Sequence, residues 1–136
     1  MNALLKIIYA YRNKLSNKLR GVAHVPAQGK KKGDILLSYL VRPFTLAPWE
    51  HPTDPHTNYW ECSEIARLFS ERGYAVDVIN WSNTIFIPRK PYAAIIDTHQ
   101  NLERLSPLLP SDCKKVMHVT FSYHQNDAKT TTTKES

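Results

Sequence analysis

The stretch TNYWECSEIARLFSERGYAVDVINW, Thr57 to Trp81, decides the fold. Cys62, Ile65, Ala66 and Phe69 recur at i, i+3, i+4 and i+7, which puts them on one face of a helix. Glu64, Arg67, Glu71 and Arg72 lie mostly on the other faces. Asn58 is a suitable N-cap, and Glu61, three residues on, completes a capping-box spacing. Gly73 stands where a helix ends with a residue of positive φ. The β-branched run YAVDVINW then reads as a strand.

Working outward, DILLSYLV (34–41) is an unbroken apolar run of strand length, as expected of a strand buried on both faces of a parallel sheet. With the helix and strand above it forms a βαβ unit. Between them, Arg42 to Thr57 holds Pro43, Pro48, Pro52 and Pro55, and is expected to be neither helix nor interior strand. YAAIID (Tyr92–Asp97) supplies a third strand, NLERLSPLLP a short helix ended by Pro110, and KKVMHVT (Lys114–Thr120) a fourth strand. The link Ser82–Pro91 contains two prolines and is short for a crossover helix, so an irregular link with TIFI as a small edge strand is expected. The fold class is α/β: a Rossmann-like, open, mostly parallel sheet of about four strands.

The charge is divided unevenly. Of 18 basic and 12 acidic residues, eight basic residues and no acid fall in residues 1–32. The rest of the chain is slightly acidic, which argues against a nucleic-acid-binding face on the globular part. In ALLKIIYAYRNKLSNKLRGV, Leu4, Ile8, Tyr11, Leu15 and Leu19 keep helical spacing. Lys6, Arg12, Lys14, Lys18 and Arg20 largely occupy the other faces, and are the candidate membrane-binding residues. A basic amphipathic helix of this kind suits an anionic membrane surface, each basic residue contributing about 1 kcal/mol at best. VAHVPAQ and GKKKG read as a linker. The expected organisation is an arm and linker over 1–32, an incomplete Rossmann-like domain over 33–126 and a disordered tail over 127–136. Cys62 and Cys113 form no paired motif, and no secretory signal or membrane span is evident. The expected location is cytoplasmic, peripheral on the inner membrane face.

In open α/β sheets, ligands bind at the carboxyl ends of the strands. Polar residues gather there: Arg42 after the first strand, Thr98 and His99 after the third, His118 and His124 at the end of the fourth. His99, His118 and His124 are candidate catalytic groups that orient an acceptor hydroxyl or stabilise developing charge. Arg42 suits a phosphate, and Thr98, His51 and His56 suit substrate contact. HPTDPH (His51–His56) invites a metal reading through His51, Asp54 and His56, but lacks a recognised ligand spacing, so no metal is assigned. Among Trp49, Trp60 and Trp81, only Trp49 is expected to be exposed. The chain has four glycines, none after Gly73, and so offers no GxGxxG or P-loop, and no cofactor is assigned.

Ile65-Ala66, Phe69, Gly73-Tyr74, Val76 and Val78 together resemble the N-terminal domain of GT-B fold glycosyltransferases of the family-4-like type. The resemblance covers residues 33 to about 126, over which the family has a Rossmann-like domain. His56, Thr57 and Tyr59 depart from the family's Gly-Gly-x-Glu start. In that family a second, C-terminal domain holds the nucleotide-sugar donor. The resemblance therefore implies the acceptor-side half of an enzyme transferring sugar from a nucleotide sugar to a glycan or lipid acceptor, inactive without the donor domain. Two other readings stand beside it: a non-catalytic module docked through its basic arm on a membrane or acidic partner, and a non-functional remnant, which an exposed apolar face on the first or fourth strand would favour.

Overall fold

The computed structural model describes residues 2–45 and 57–119. Helix α1 (Ala3–Arg20) leads into β1 (Val22–Val25), β2 (Gly33–Tyr39), a single helical turn α2 (Arg42–Thr45) and helix α3 (Thr57–Glu71). Then come β3 (Tyr74–Asn80), β4 (Ala94–Asp97), the short helix α4 (Asn101–Leu105) with a 3-10 turn over Ser106–Leu108, and β5 (Lys114–Met117). The strands form one sheet of order β1-β3-β2-β4-β5. β3, β2, β4 and β5 run parallel, and β1 is antiparallel on the edge of β3.

The unbroken apolar run of β2 follows from its central position. Ile35, Leu37 and Tyr39 face one side with Val76, Val78 and Ile96, under Cys62 and Ala66 of α3. Leu36 faces the other with Ile79 and Ile95, under Leu105, Leu109 and Cys113. Two cores on opposite faces leave β2 no solvent side, so alternation disappears from its sequence. Gly73 ends α3 at φ +95°, and a Cβ there would stand 3.1 Å from the Lys30 carbonyl. The position demands glycine on both counts.

Four expectations need correction. The segment read as a linker includes a strand, with Val22 opposite Ile79 and Val25 opposite Val76, so the sheet has five strands. α3 begins at Thr57, which places Asn58 inside the helix instead of at its cap. Arg42–Thr45, expected to be neither helix nor interior strand, is a helical turn; Pro43 sits in its first turn, where its missing N–H is not needed. TIFI forms no strand. The Asn83 side chain instead accepts from the amides of Ile85 and Phe86, and the Arg104 guanidinium binds the carbonyls of Phe86 and Asn83. These bonds satisfy the link locally and leave no ladder to build.

Candidate functional site

β3 lies on one side of β2 and β4 on the other, so the order of connection reverses between β2 and β4. Outside the carboxyl ends of the strands, at this reversal, open α/β sheets bind their ligands. Tyr39 ends β2, Trp81 follows β3, Asp97 ends β4 ahead of Thr98 and His99, and His118 follows β5.

Tyr39 and His118 converge on Glu61 of α3. The buried Tyr39 hydroxyl donates to Glu61 Oε1 at 3.0 Å, and His118 Nε2 stands 2.5 Å from the same oxygen. The Tyr39 and His118 rings are 5.9 Å apart. The hydrogen bond from His118 holds the Glu61 carboxyl below its ordinary range; burial opposes this, and the bond from Tyr39 adds to it. Burial raises the Tyr39 phenol, and the hydrogen bond to Glu61 raises it further, so it stays protonated and donates. Glu61 is then an acceptor only, which assigns the proton between them to His118 Nε2. The main chain holds the grouping in place: the His118 amide donates to the Asp97 carbonyl at 2.7 Å, and Cys62 Sγ donates to the Leu40 carbonyl at 3.3 Å. Burial pushes the Cys62 thiol up to about 12, consistent with a core role.

Beside this grouping, the Thr98 hydroxyl donates to the Ser38 carbonyl at 3.1 Å and clasps β4 to β2. Its oxygen keeps acceptor capacity, so Thr98 can still receive a ligand hydroxyl. The fully buried Asp97 accepts from the Leu102 amide at 2.7 Å, while its other oxygen has no partner among the described residues. The exposed His99 lies against Trp81, ring centroids 5.0 Å apart, and belongs to a grouping separate from His118. Arg42 is exposed at the start of α2. Trp60 and Trp81 are also exposed, against expectation, because α3 and the β3 end turn them away from both cores. His51, His56, Trp49 and His124 lie outside the described residues, as do Asp54 and the residues expected to form the tail. In α1, Lys6 and Arg12 are exposed; the side chains of Lys14, Lys18 and Arg20 fall outside those described. Among the described residues, no three His, Cys, Asp or Glu side chains are grouped to hold a metal ion.

Sequence reasoning missed Glu61 and Tyr39. Glu61 had a sufficient local explanation in the capping spacing, whereas its partners lie 22 and 57 residues away. The one available signal was Tyr39, a hydroxyl at the end of an otherwise apolar strand, which needs a partner when buried.

A second polar cluster sits toward the amino ends of β2 and β4. Asp77 Oδ1 is 2.6 Å from His24 Nδ1 of β1, and Oδ2 accepts from the Tyr92 hydroxyl at 2.6 Å and from Lys90 Nζ at 2.9 Å. Burial is the largest single influence on Asp77 and raises its pKa, but the hydrogen bonds from His24, Tyr92 and Lys90 together outweigh it and bring the carboxyl to about 2. The cluster ties β1, β3 and the entry to β4 together, on the far side of the sheet from the strand ends that build the site.

Comparison of the chain with protein-family models, curated proteins and solved structures finds no match.

Proposed function

We propose that the chain is the acceptor-side half of a glycosyltransferase, working with a separate donor-binding domain. The observation that carries this reading is the Tyr39–Glu61–His118 grouping at the carboxyl end of a doubly wound sheet. Glu61 fixes and polarises the His118 imidazole, and Tyr39 holds Glu61. His118 Nδ1 is then the base that takes the proton from an acceptor hydroxyl as it attacks the anomeric carbon of a nucleotide sugar, with the nucleoside diphosphate leaving. Thr98 and His99 border the acceptor, and Arg42 meets a phosphate of the donor or of a lipid-linked acceptor. The sequence resemblance supports the same assignment. Against it stands β5: all four of its residues are exposed, with Val116 and Met117 at the sheet edge, and an exposed apolar face on this strand is what favours the remnant reading.

Thermal unfolding of the purified chain tests the division of labour. Acceptor glycans are expected to raise the midpoint, and nucleotide sugars alone to raise it less, through Arg42 only. A midpoint that no acceptor glycan moves, alone or with a nucleotide sugar, would contradict the proposal.

A second reading, docking through α1 on an anionic membrane, is favoured by the exposure of Leu4, Leu5, Ile7, Ile8, Tyr9 and Tyr11 beside Lys6 and Arg12. No helix among the described residues is long and apolar enough to cross a membrane. Liposome flotation after deletion of residues 1–20 tests it: retained binding would refute the reading. The deletion must stop at Arg20, because Val22–Val25 is a strand of the sheet.

A further inference from the structure

Beside α4, on the side of the sheet away from Glu61, lies an open depression of about 560 Å³. Trp81, Ser82, Thr84, His99, Glu103 and Arg104 line it. Its volume is within the range of small-ligand sites, which runs from about 300 to 1,000 Å³.

Its aromatic wall is preorganised. Trp81 and His99 are tilted 35° to each other at 5.0 Å. The backbone of Trp81 is fixed on both sides: its amide donates to the Tyr39 carbonyl at 2.9 Å, and its carbonyl accepts from Asn101 Nδ2 at 3.3 Å. Asn101 is itself buried and bonded to Ser38 Oγ. Trp81, 44% exposed, thus presents part of its indole to water from a fixed point of the backbone and against the His99 ring. This forgoes part of the burial a Trp normally gains, of about 150–250 Å² in all.

The charge of the lining selects the ligand class. Arg104 Nε donates to Asn101 Oδ1, and its terminal nitrogens donate to the carbonyls of Phe86 and Asn83, so three of its five N–H donors are engaged by the protein. Glu103 adds a carboxylate on the rim. A phosphate would meet the Glu103 carboxylate and a guanidinium that has already given three of its five donors to the protein. A neutral ring with a C–H face for the indole, and hydroxyls for Ser82, Thr84 and Glu103, meets none of these obstacles. We propose that this depression is a carbohydrate-binding subsite in which Trp81, backed by His99, stacks on one pyranose ring. The partly positive C–H face of such a ring complements the negative face of the indole. The bound ring lies away from Glu61 and His118 and is not the one that reacts; its place in a longer acceptor rests on the transferase reading, and its binding rests on the depression alone.

Saturation-transfer NMR on the full chain, with methyl pyranosides of the gluco, galacto and manno series and uridine monophosphate as a separate arm, reads the site without any transfer step. Saturation of one face of a pyranoside is expected, with affinity falling about tenfold in Trp81→Ala, the scale of one aromatic stacking contact. Trp81→Tyr is expected to restore most of it. If Trp81→Ala fails to fold, His99→Ala and Glu103→Gln replace it, each expected to weaken binding measurably. Absence of pyranoside binding, binding indifferent to these substitutions, or a Trp81-dependent preference for uridine monophosphate would each overturn the proposal. Sugar binding without transfer, in the presence of a donor domain, would instead count against the transferase reading alone.

Discussion

Asp77→Asn separates the Asp77 cluster from every other acid in the chain. In the folded protein His24, Tyr92 and Lys90 hold the Asp77 carboxyl at about 2, against an unfolded value near 3.9. The folded value is the lower one, so the contribution is fully present above about pH 4 and is lost as pH falls through about 2. A difference of nearly two pKa units corresponds to roughly 2 kcal/mol. The Asp77 side chain is only 7% exposed, so solvent screening removes little of this. Urea unfolding of the parent and of Asp77→Asn, from pH 2 to pH 7, gives the stability difference at each pH. That difference is expected to shrink by roughly 2 kcal/mol between about pH 5 and pH 2, while titrating groups that do not touch Asp77 cancel between the two proteins. A difference that stays level from pH 7 to pH 2 would refute the idea that the Asp77 charge is what the cluster stabilises.

Three further outcomes are expected. Gly73→Ala should destabilise by about 1–3 kcal/mol in chemical denaturation, since it combines φ +95° with a Cβ 3.1 Å from the Lys30 carbonyl; an unchanged midpoint would show that the α3–β3 turn relaxes. Glu61→Ala strands the buried Tyr39 hydroxyl and should lose about 1–3 kcal/mol, of which adding Tyr39→Phe recovers a part. Equal stabilities of the single and double variants would mean the hydroxyl finds another partner. A thiol reagent at pH 8 should leave native Cys62 unmodified, because its thiol is fully buried and pushed up to about 12, and should label it on unfolding; rapid native labelling of Cys62 would show that α3 opens readily.

What was legible in the sequence was what depends on short-range periodicity. α3, Gly73 and β3 announce themselves through helical spacing, a glycine stop and β-branched residues within 25 consecutive positions. β2 was legible because burial on both faces leaves an unbroken apolar run. β1 was not: four residues ending before Pro26 are too few to show alternation, and their partner strand begins about 50 positions later. The candidate site divides in the same way. Thr98, His99 and His118 could be placed because they follow strands. Glu61 could not, because its local spacing offered a helix cap while its carboxylate was taken by Tyr39 and His118 across the fold. Trp81 was expected to be packed, since packing is the commoner use of Trp, and its exposure follows from its place just past the end of β3, which the sequence does not show.

The most direct test of the central claim is amide chemical-shift mapping of the labelled chain as acceptor saccharides are added. The account predicts that shifts gather at the carboxyl ends of the parallel strands, at Tyr39, Glu61, Thr98, His99 and His118, and leave Val22–Val25 and Asp34 unchanged. Shifts confined to α1 and β1, or none at saturating saccharide, would contradict it.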